Sequence, residues 1–281
     1  MANENIKGKV AVVTGAGGTL CSEMARELAS KGYQVALLGR TLAKLEQVET
    51  GITAAGGCAM SVVADVSSED AIRQAHEKVK KALGPCSLLI NGAGGNQTEA
   101  ITTANQFVQE ELSDSTECRG FFNLDMDAFQ SVLKINTMGT VIPCHVFGKD
   151  MAENGGGCII NIASMNSYRP LSRVAAYGMA KAGIVNFTQW LAAYLAPVGI
   201  RVNAIAPGFF LNERSRKRLL NPDGSFSERG QSVIDHTPLA QFGEARQLIG
   251  CMNWLVDDQA SDFVTGITIP VDGGFLACSG I

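Results

Sequence analysis

The sequence predicts a single α/β domain in which a doubly wound, seven-stranded parallel sheet carries helices on both faces. Three observations point there. Short β-rich runs alternate with longer helix-periodic segments, which implies parallel strands joined by helical crossovers. The strand runs are nearly all apolar instead of alternating, as a sheet covered on both faces requires. A glycine turn, TGAGGTLC at residues 14–21, follows the first run and opens a helix.

In order, the predicted strands are 9–14 (KVAVVT), 33–38 (YQVALL), 59–64 (AMSVVA), 87–93 (SLLINGA), 157–164 (GCIINIAS), 200–207 (IRVNAIAP) and a last one at 267–271. Helical stretches between them, such as CSEMARELASKG and EDAIRQAHEKVKKALG, close on glycine, which takes the left-handed conformation past a helix end. Two connections are long for a compact domain, and long connections are usually functional or disordered. One is the polar, acidic insertion 94–124; the other, 208–238, mixes aromatics with arginines and is read as a substrate loop or lid. Both leave the carboxyl end of a strand, the side on which open α/β sheets bind ligands. All of 1–281 is read as one dinucleotide-binding catalytic domain.

Composition narrows the function. At 281 residues and 46% hydrophobic content the chain can bury one sizeable core. A net charge of −4, with no basic tract longer than residues 214–218, gives a nucleic-acid partner little electrostatic support. The 8 cysteines form no C-x-x-C pair and no histidine sits at ligand spacing, so no metal is expected and reduced thiols in a cytoplasmic protein are the simple reading. No apolar stretch approaches the roughly 20 residues that span a bilayer. No leader precedes the first strand, so neither export nor a membrane partner is expected.

The glycine turn sits where a phosphate loop belongs, after a strand and before a helix. Gly15, Gly17 and Gly18 let backbone approach a pyrophosphate, and Thr19 offers a hydroxyl and an amide as the helix begins near Leu20. A tight turn without ligand is the alternative. Asp65, followed by Val66, ends the third strand where a carboxylate can reach an adenine, although it could equally cap a helix beginning at Ser67 or Ser68. Asn91, Gly92 and Ala93, within NGAGG, leave little side-chain bulk beside a cofactor. At the end of the second strand an acidic residue would select NAD, whereas this chain has Gly39 and Arg40. That favours NADP(H), while Arg40 can also stack on adenine with NAD bound.

YGMAK puts Tyr177 and Lys181 one turn apart on a helix face. A phenol titrates near pH 10, too high for neutral acid-base work unless a neighbouring ammonium stabilises the phenolate, and Lys181 can supply that charge. Ser164 ends the preceding strand, where its hydroxyl can donate to a carbonyl oxygen undergoing reduction.

Over nearly its whole length the chain resembles the short-chain dehydrogenase/reductases, which have a Rossmann fold. The resemblance is carried by Thr14-Gly15, Asp65, NGAG at 91–94, Asn136 in KINTMGT, Ser164, Tyr177, Lys181, Pro207-Gly208 and VTG…PVDGG at 264–274. It implies a catalytic tetrad of Asn136, Ser164, Tyr177 and Lys181. Tyr177 would exchange the proton, Ser164 would orient the substrate oxygen, Lys181 would also bind the nicotinamide ribose, and Asn136 would hold a relay water. It also implies cofactor contacts from Pro207, Gly208 and Phe210, and a homotetramer joined through 125–152 and 172–197. The family's usual turn, T-G-x-x-x-G-x-G, is altered here by Thr19 and Cys21, both compatible with binding.

Further stretches, among them TGAGGTLCSEMARELA, GGCIINIASMNSYRPL and RVNAIAPGFFLNE, resemble the D-mannonate oxidoreductase (fructuronate reductase) subgroup. The implied reaction is reversible hydride transfer between D-fructuronate and NAD(P)(H). A sugar acid brings a carboxylate and hydroxyls, so its site needs a cation and polar side chains. Arg169, Arg173, Arg214 and Arg216 are available, Arg169 and Arg216 being the preferred carboxylate partners, with Asn96, Met165 and Asn166 also lining the site. Each arginine could equally form a surface ion pair. Phe209, Phe210, Phe121 and Phe122 suit lid or core packing better than substrate contact. The alternatives are a gluconate 5-dehydrogenase type of enzyme or a non-catalytic nucleotide sensor on the same fold.

Overall fold

The structure, a computed structural model, describes residues 6–113 and 117–278, except for the side chains of 213 and 214. Its strands are β1 (Val10–Thr14), β2 (Gln34–Gly39), β3 (Cys58–Val63), β4 (Cys86–Asn91), β5 (Gly157–Ile162), β6 (Ile200–Pro207) and β7 (Thr268–Val271). They pair in the order β3-β2-β1-β4-β5-β6-β7, every neighbour parallel. β4 and β5 stop two residues short of the predicted ends. Past Asn91 the chain leaves the ladder because the amides of Gly92 and Ala93 donate instead to Thr14 Oγ1, at 3.1 and 3.2 Å.

The helices among the described residues are α1 (Thr19–Ser30), α2 (Leu42–Ala54), α3 (Glu69–Leu83), α4 (Met126–Glu153), α5 (Ala175–Leu195), α6 (Glu213–Leu219), α7 (Glu228–Asp235) and α8 (Ile249–Val256). Their apolar faces build two cores, one on each side of the sheet. Met24, Leu28, Leu45, Met252 and Leu255 of α1, α2 and α8 fill one. Ile72, Phe147, Met151 and Leu191 of α3, α4 and α5 fill the other. Each such side chain contributes roughly 1.5–3 kcal/mol relative to exposure. Strand order reverses between β1 and β4, and the crevice at their carboxyl ends is the natural ligand site.

The insertion between β4 and α4 has an internal clasp. The Glu111 carboxylate is buried and accepts from the amides of Val108, at 3.1 Å, and Phe122, at 3.3 Å. Thr103 pairs with Arg119 across the same loop. Burying a charge is tolerated here because backbone donors meet it. Phe121 and Phe122 stand exposed in an edge-to-face pair on this loop.

Candidate active site

At the crevice the glycine turn is shaped first by its own chain. Gly15 has φ +67°, and a β-carbon there would lie 2.8 Å from the Ala93 nitrogen; one on Gly17 would lie 2.8 Å from Lys44 Cβ. These two glycines admit neighbouring protein, and only Gly18 and Thr19 are exposed. α1 begins with no side-chain cap and no acidic residue in its first turn. Its free amides and positive dipole end suit a phosphate. Leu20 is half-buried, and Cys21 packs under Gly92, leaving no space for a side chain at 92. Residues 91–95 thus run past the turn as nearly bare backbone, and a dinucleotide fits this cradle.

Asp65 is half-buried, and its Oδ1 accepts from Ser67 N and Oγ at 2.9 and 2.7 Å. Those bonds, Ser67's amide first, hold the carboxyl below its ordinary range, aided by the charges of Arg40 and Lys134. The helix cap itself is Ser68. Val66 is buried against the position of Gly139. Arg40 is exposed.

Two expected contacts need correction. The Asn91 side chain faces the interior, its Nδ2 donating to Asn161 Oδ1 at 2.9 Å, so only its backbone borders the cleft. Phe210 is buried with its ring where a side chain on Gly243 would stand, which makes it a packing residue. Pro207 ends β6, and Gly208, bonded to Val271 O at 2.9 Å, lies against Asp272 where a β-carbon would be 2.6 Å from its Cα.

Of the four family residues, Asn136 and Lys181 border Gly94, while Ser164 and Tyr177 pair with each other. Asn136, on α4 and fully buried, donates Nδ2 to Gly95 O at 2.6 Å and Val132 O at 2.8 Å, and accepts from Gly95 N at 3.1 Å. Both ends of its amide therefore clamp backbone. A β-carbon on Gly94 would sit 2.5 Å from Asn136 Oδ1 and 3.7 Å from Lys181 Nζ. Lys181 donates Nζ to Ile162 O, at the end of β5, at 2.7 Å. Burial lowers its pKa to about 8. Ser164 Oγ accepts from Asn166 N at 3.2 Å, and its hydroxyl also bonds the Tyr177 phenol.

Burial sets the direction in which the Tyr177 phenol shifts in this geometry. Burial raises the phenol above its ordinary value, and only the bond to Ser164 opposes it. The ammonium is tied to Ile162 and stands 5.7 Å from the centroid of the tyrosine ring. Both groups are desolvated together, which disfavours both charged forms.

The substrate candidates separate. Met165 is buried. Arg169 donates Nη1 to the carbonyls of Phe275, at 3.3 Å, and Cys278, at 2.6 Å, and its guanidinium lies over the Phe275 ring. It ties the loop after Ser164 to the chain's last turn, which corrects its assignment as a carboxylate partner. Asn166 is buried, its Oδ1 accepts from Leu171 N at 2.8 Å, and its Nδ2 has no partner. Asn96 is half-buried and accepts from Gln97 N. Arg216 is exposed on α6, and the Arg214 side chain lies outside the described residues.

A glycine-lined nucleotide cradle opposite a Ser-Tyr-Lys-Asn cluster matches what the family profile finds: the pattern for short chain dehydrogenase covers residues 9–221. The chain belongs to the short-chain dehydrogenase/reductase family and is an oxidoreductase acting on CH–OH groups. It is 46% identical over 279 residues to an uncharacterized oxidoreductase, UxuB, of Bacillus subtilis, covering 99% of each chain. A crystal structure from Haemophilus influenza with bound NAD, provisionally described as a D-mannonate oxidoreductase, superposes with a TM-score of 0.94 at 40% identity, covering 100% of this chain and 99% of that one. A 2-dehydro-3-deoxy-D-gluconate 5-dehydrogenase of Escherichia coli is 31% identical, with 97% of each chain covered.

Proposed function

We propose that the protein interconverts D-mannonate and D-fructuronate with a nicotinamide dinucleotide. The observation that carries the chemistry is the linkage of the four side chains: Asn136 and Lys181 border the bare backbone of Gly94, Lys181 Nζ stands 5.7 Å from the centre of the Tyr177 ring, and the Tyr177 phenol bonds Ser164. The substrate rests on the full-length similarity to the NAD-bound relative.

When bound, the dinucleotide supplies the hydride acceptor for oxidation or the donor for reduction. Tyr177 takes the substrate hydroxyl proton in one direction and returns it in the other. Ser164 already accepts from Asn166 N, so its own proton is free to point at the phenol or at the substrate oxygen. Lys181 holds positive charge beside the tyrosine ring, and Asn136 fixes the backbone against which the reactants lie. Asn96, Asn166 and Arg216 are kept as substrate contacts.

Two observations pull on the choice of dinucleotide. Gly39-Arg40 leaves no acid to reject a 2′-phosphate, which favours NADP. Arg40 instead acts electrostatically on Asp65, and the relative holds NAD. An arginine drawn to a carboxylate is less available to a phosphate, so we take NAD(H) as the working partner.

A second reading, a 2-dehydro-3-deoxy-D-gluconate 5-dehydrogenase type, is favoured by the relatives of that name. Offering the purified enzyme D-mannonate, D-fructuronate, D-gluconate and 2-dehydro-3-deoxy-D-gluconate with each dinucleotide separates the two. The fastest turnover is expected with the mannonate pair; faster turnover of the deoxygluconate would replace it.

The family implies a homotetramer in the cytoplasm. Among the described residues no helix is long and apolar enough to cross a membrane. Self-association through α4 and α5 is supported by exposed Met138, Met179, Trp190 and Tyr194, the last two stacked.

A further inference from the structure

The turn that follows β7 reaches two parts of the molecule that chain order keeps far apart. Asp272 shapes it from within: Oδ1 accepts from Gly274 N and Oδ2 from Leu276 N, both at 2.9 Å. One side of the turn lies on the segment that leaves α7. Leu239 N donates to Gly273 O at 3.0 Å, and a β-carbon on Gly274 would stand 3.0 Å from Pro238 Cγ.

Phe275 belongs to this turn and is buried. The Phe209 ring stands edge-on to it, with centroids 5.3 Å apart. Phe209 packs in turn against the apolar cluster that includes Leu219 on α6 and Val233 and Ile234 on α7. The last turn thus holds both ends of the long connection, Phe209 at its start and Leu239 just past its end.

Phe275 also meets Arg169, whose guanidinium carbon lies 5.9 Å from the ring centroid and whose Nη1 donates to Phe275 O at 3.3 Å and Cys278 O at 2.6 Å. Bonds from a charged donor are stronger than neutral ones, and a cation over a ring adds attraction where water is reduced. Arg169 also ends the tight turn that Ser164 begins: Ser167 N donates to Ser164 O at 2.9 Å, and Arg169 N to Met165 O at 3.2 Å. Ser167 Oγ fastens that turn to α5 through Lys181 O, at 2.8 Å. Contacts therefore run without a break from α6 and α7 through Phe209, Phe275 and Arg169 to Ser164.

We infer that Arg169 is a positioning residue: by clamping the last turn it seats the long connection and the Ser164 turn as one unit, so that the two take up their places together. The inference rests on the catalytic role proposed above for Ser164. Coupling of this kind is carried by packed side chains and hydrogen bonds that two segments share, and Phe275 is the shared member here.

The test is amide hydrogen exchange on the full chain without ligand. Arg169→Met keeps the stem and removes the donor, while Arg169→Lys keeps one nitrogen, and one nitrogen makes both carbonyl bonds in the parent. Arg169→Met is expected to speed exchange about tenfold in both 164–171 and 209–239 with β2 unchanged, Phe275→Leu to do the same, and Arg169→Lys to stay within about threefold of the parent. Faster exchange confined to 164–171, exchange equal to the parent's, or a uniform rise that includes β2 would overturn the inference. Turnover is read separately, with whichever sugar acid the unmodified enzyme uses. There kcat should fall about tenfold in Arg169→Met and recover in Arg169→Lys, with NAD affinity held within about twofold; an unchanged kcat would remove the positioning role. An enzyme that turns over no sugar acid would remove the reaction proposed above, while the exchange result still decides the clamp.

Discussion

The sulfur of Cys21 occupies the space that a side chain on residue 92 would need, so α1 and the end of β4 lock together through one thiol and one glycine. Gly92→Ala must push α1 away from the sheet and is expected to cost about 1–3 kcal/mol. Removing the obstacle in a Cys21→Gly, Gly92→Ala double variant should recover most of that. Urea unfolding of the three proteins measures it, and a Gly92→Ala enzyme as stable as its parent would show that the contact does not exist.

Alkaline pH should unfold the protein through its thiols. Burial raises Cys21, Cys144 and Cys158 from 9.0 to about 12, and raises Cys86 in the same direction. Such a group adds its full stability below the unfolded pKa and loses it as pH climbs toward the folded one. Lys181 works the other way, since its folded value of about 8 lies below 10.5 and the penalty of its buried charge is relieved between them. Four thiols outweigh one lysine. The melting temperature should fall above about pH 9, less steeply in Cys158→Ala; a rise over that range contradicts this balance.

The working choice of NAD(H) rests on the charge of Arg40 acting on Asp65 and on the NAD held by the relative. If its charge is held toward Asp65, Arg40→Ala should change the affinity for NAD and for NADP each by less than about threefold. Fluorescence titration with both cofactors reads this. Tighter NADP than NAD binding by the parent would reverse the assignment.

The stacked Trp190 and Tyr194 are 56% and 67% exposed on α5. If α5 joins subunits as proposed, Trp190→Glu should shift the enzyme to a smaller species by light scattering, since a charge in an apolar contact is costly. An unchanged mass would place the subunit contacts elsewhere.

What was legible in the chain was local. Each strand announced itself as an apolar run, and the tetrad as motifs attached to strand ends and one helix turn. Interactions with backbone left no such trace: Arg169 reads as a free cation, yet its partners are carbonyls near the carboxyl end. Gly17 reads as a phosphate glycine, but the Lys44 side chain fills its space. The burial that raises Tyr177 and lowers Lys181 is likewise a property of packing, and spacing alone had suggested the opposite sign for the tyrosine.

The most direct measurement follows nicotinamide absorbance with D-mannonate for the unmodified enzyme and Tyr177→Phe, alongside NAD affinity for both. Turnover is expected in the first, a loss of about a hundredfold or more in the second, and equal NAD binding in both. Comparable turnover by both proteins would contradict a proton exchanged at the Tyr177 oxygen.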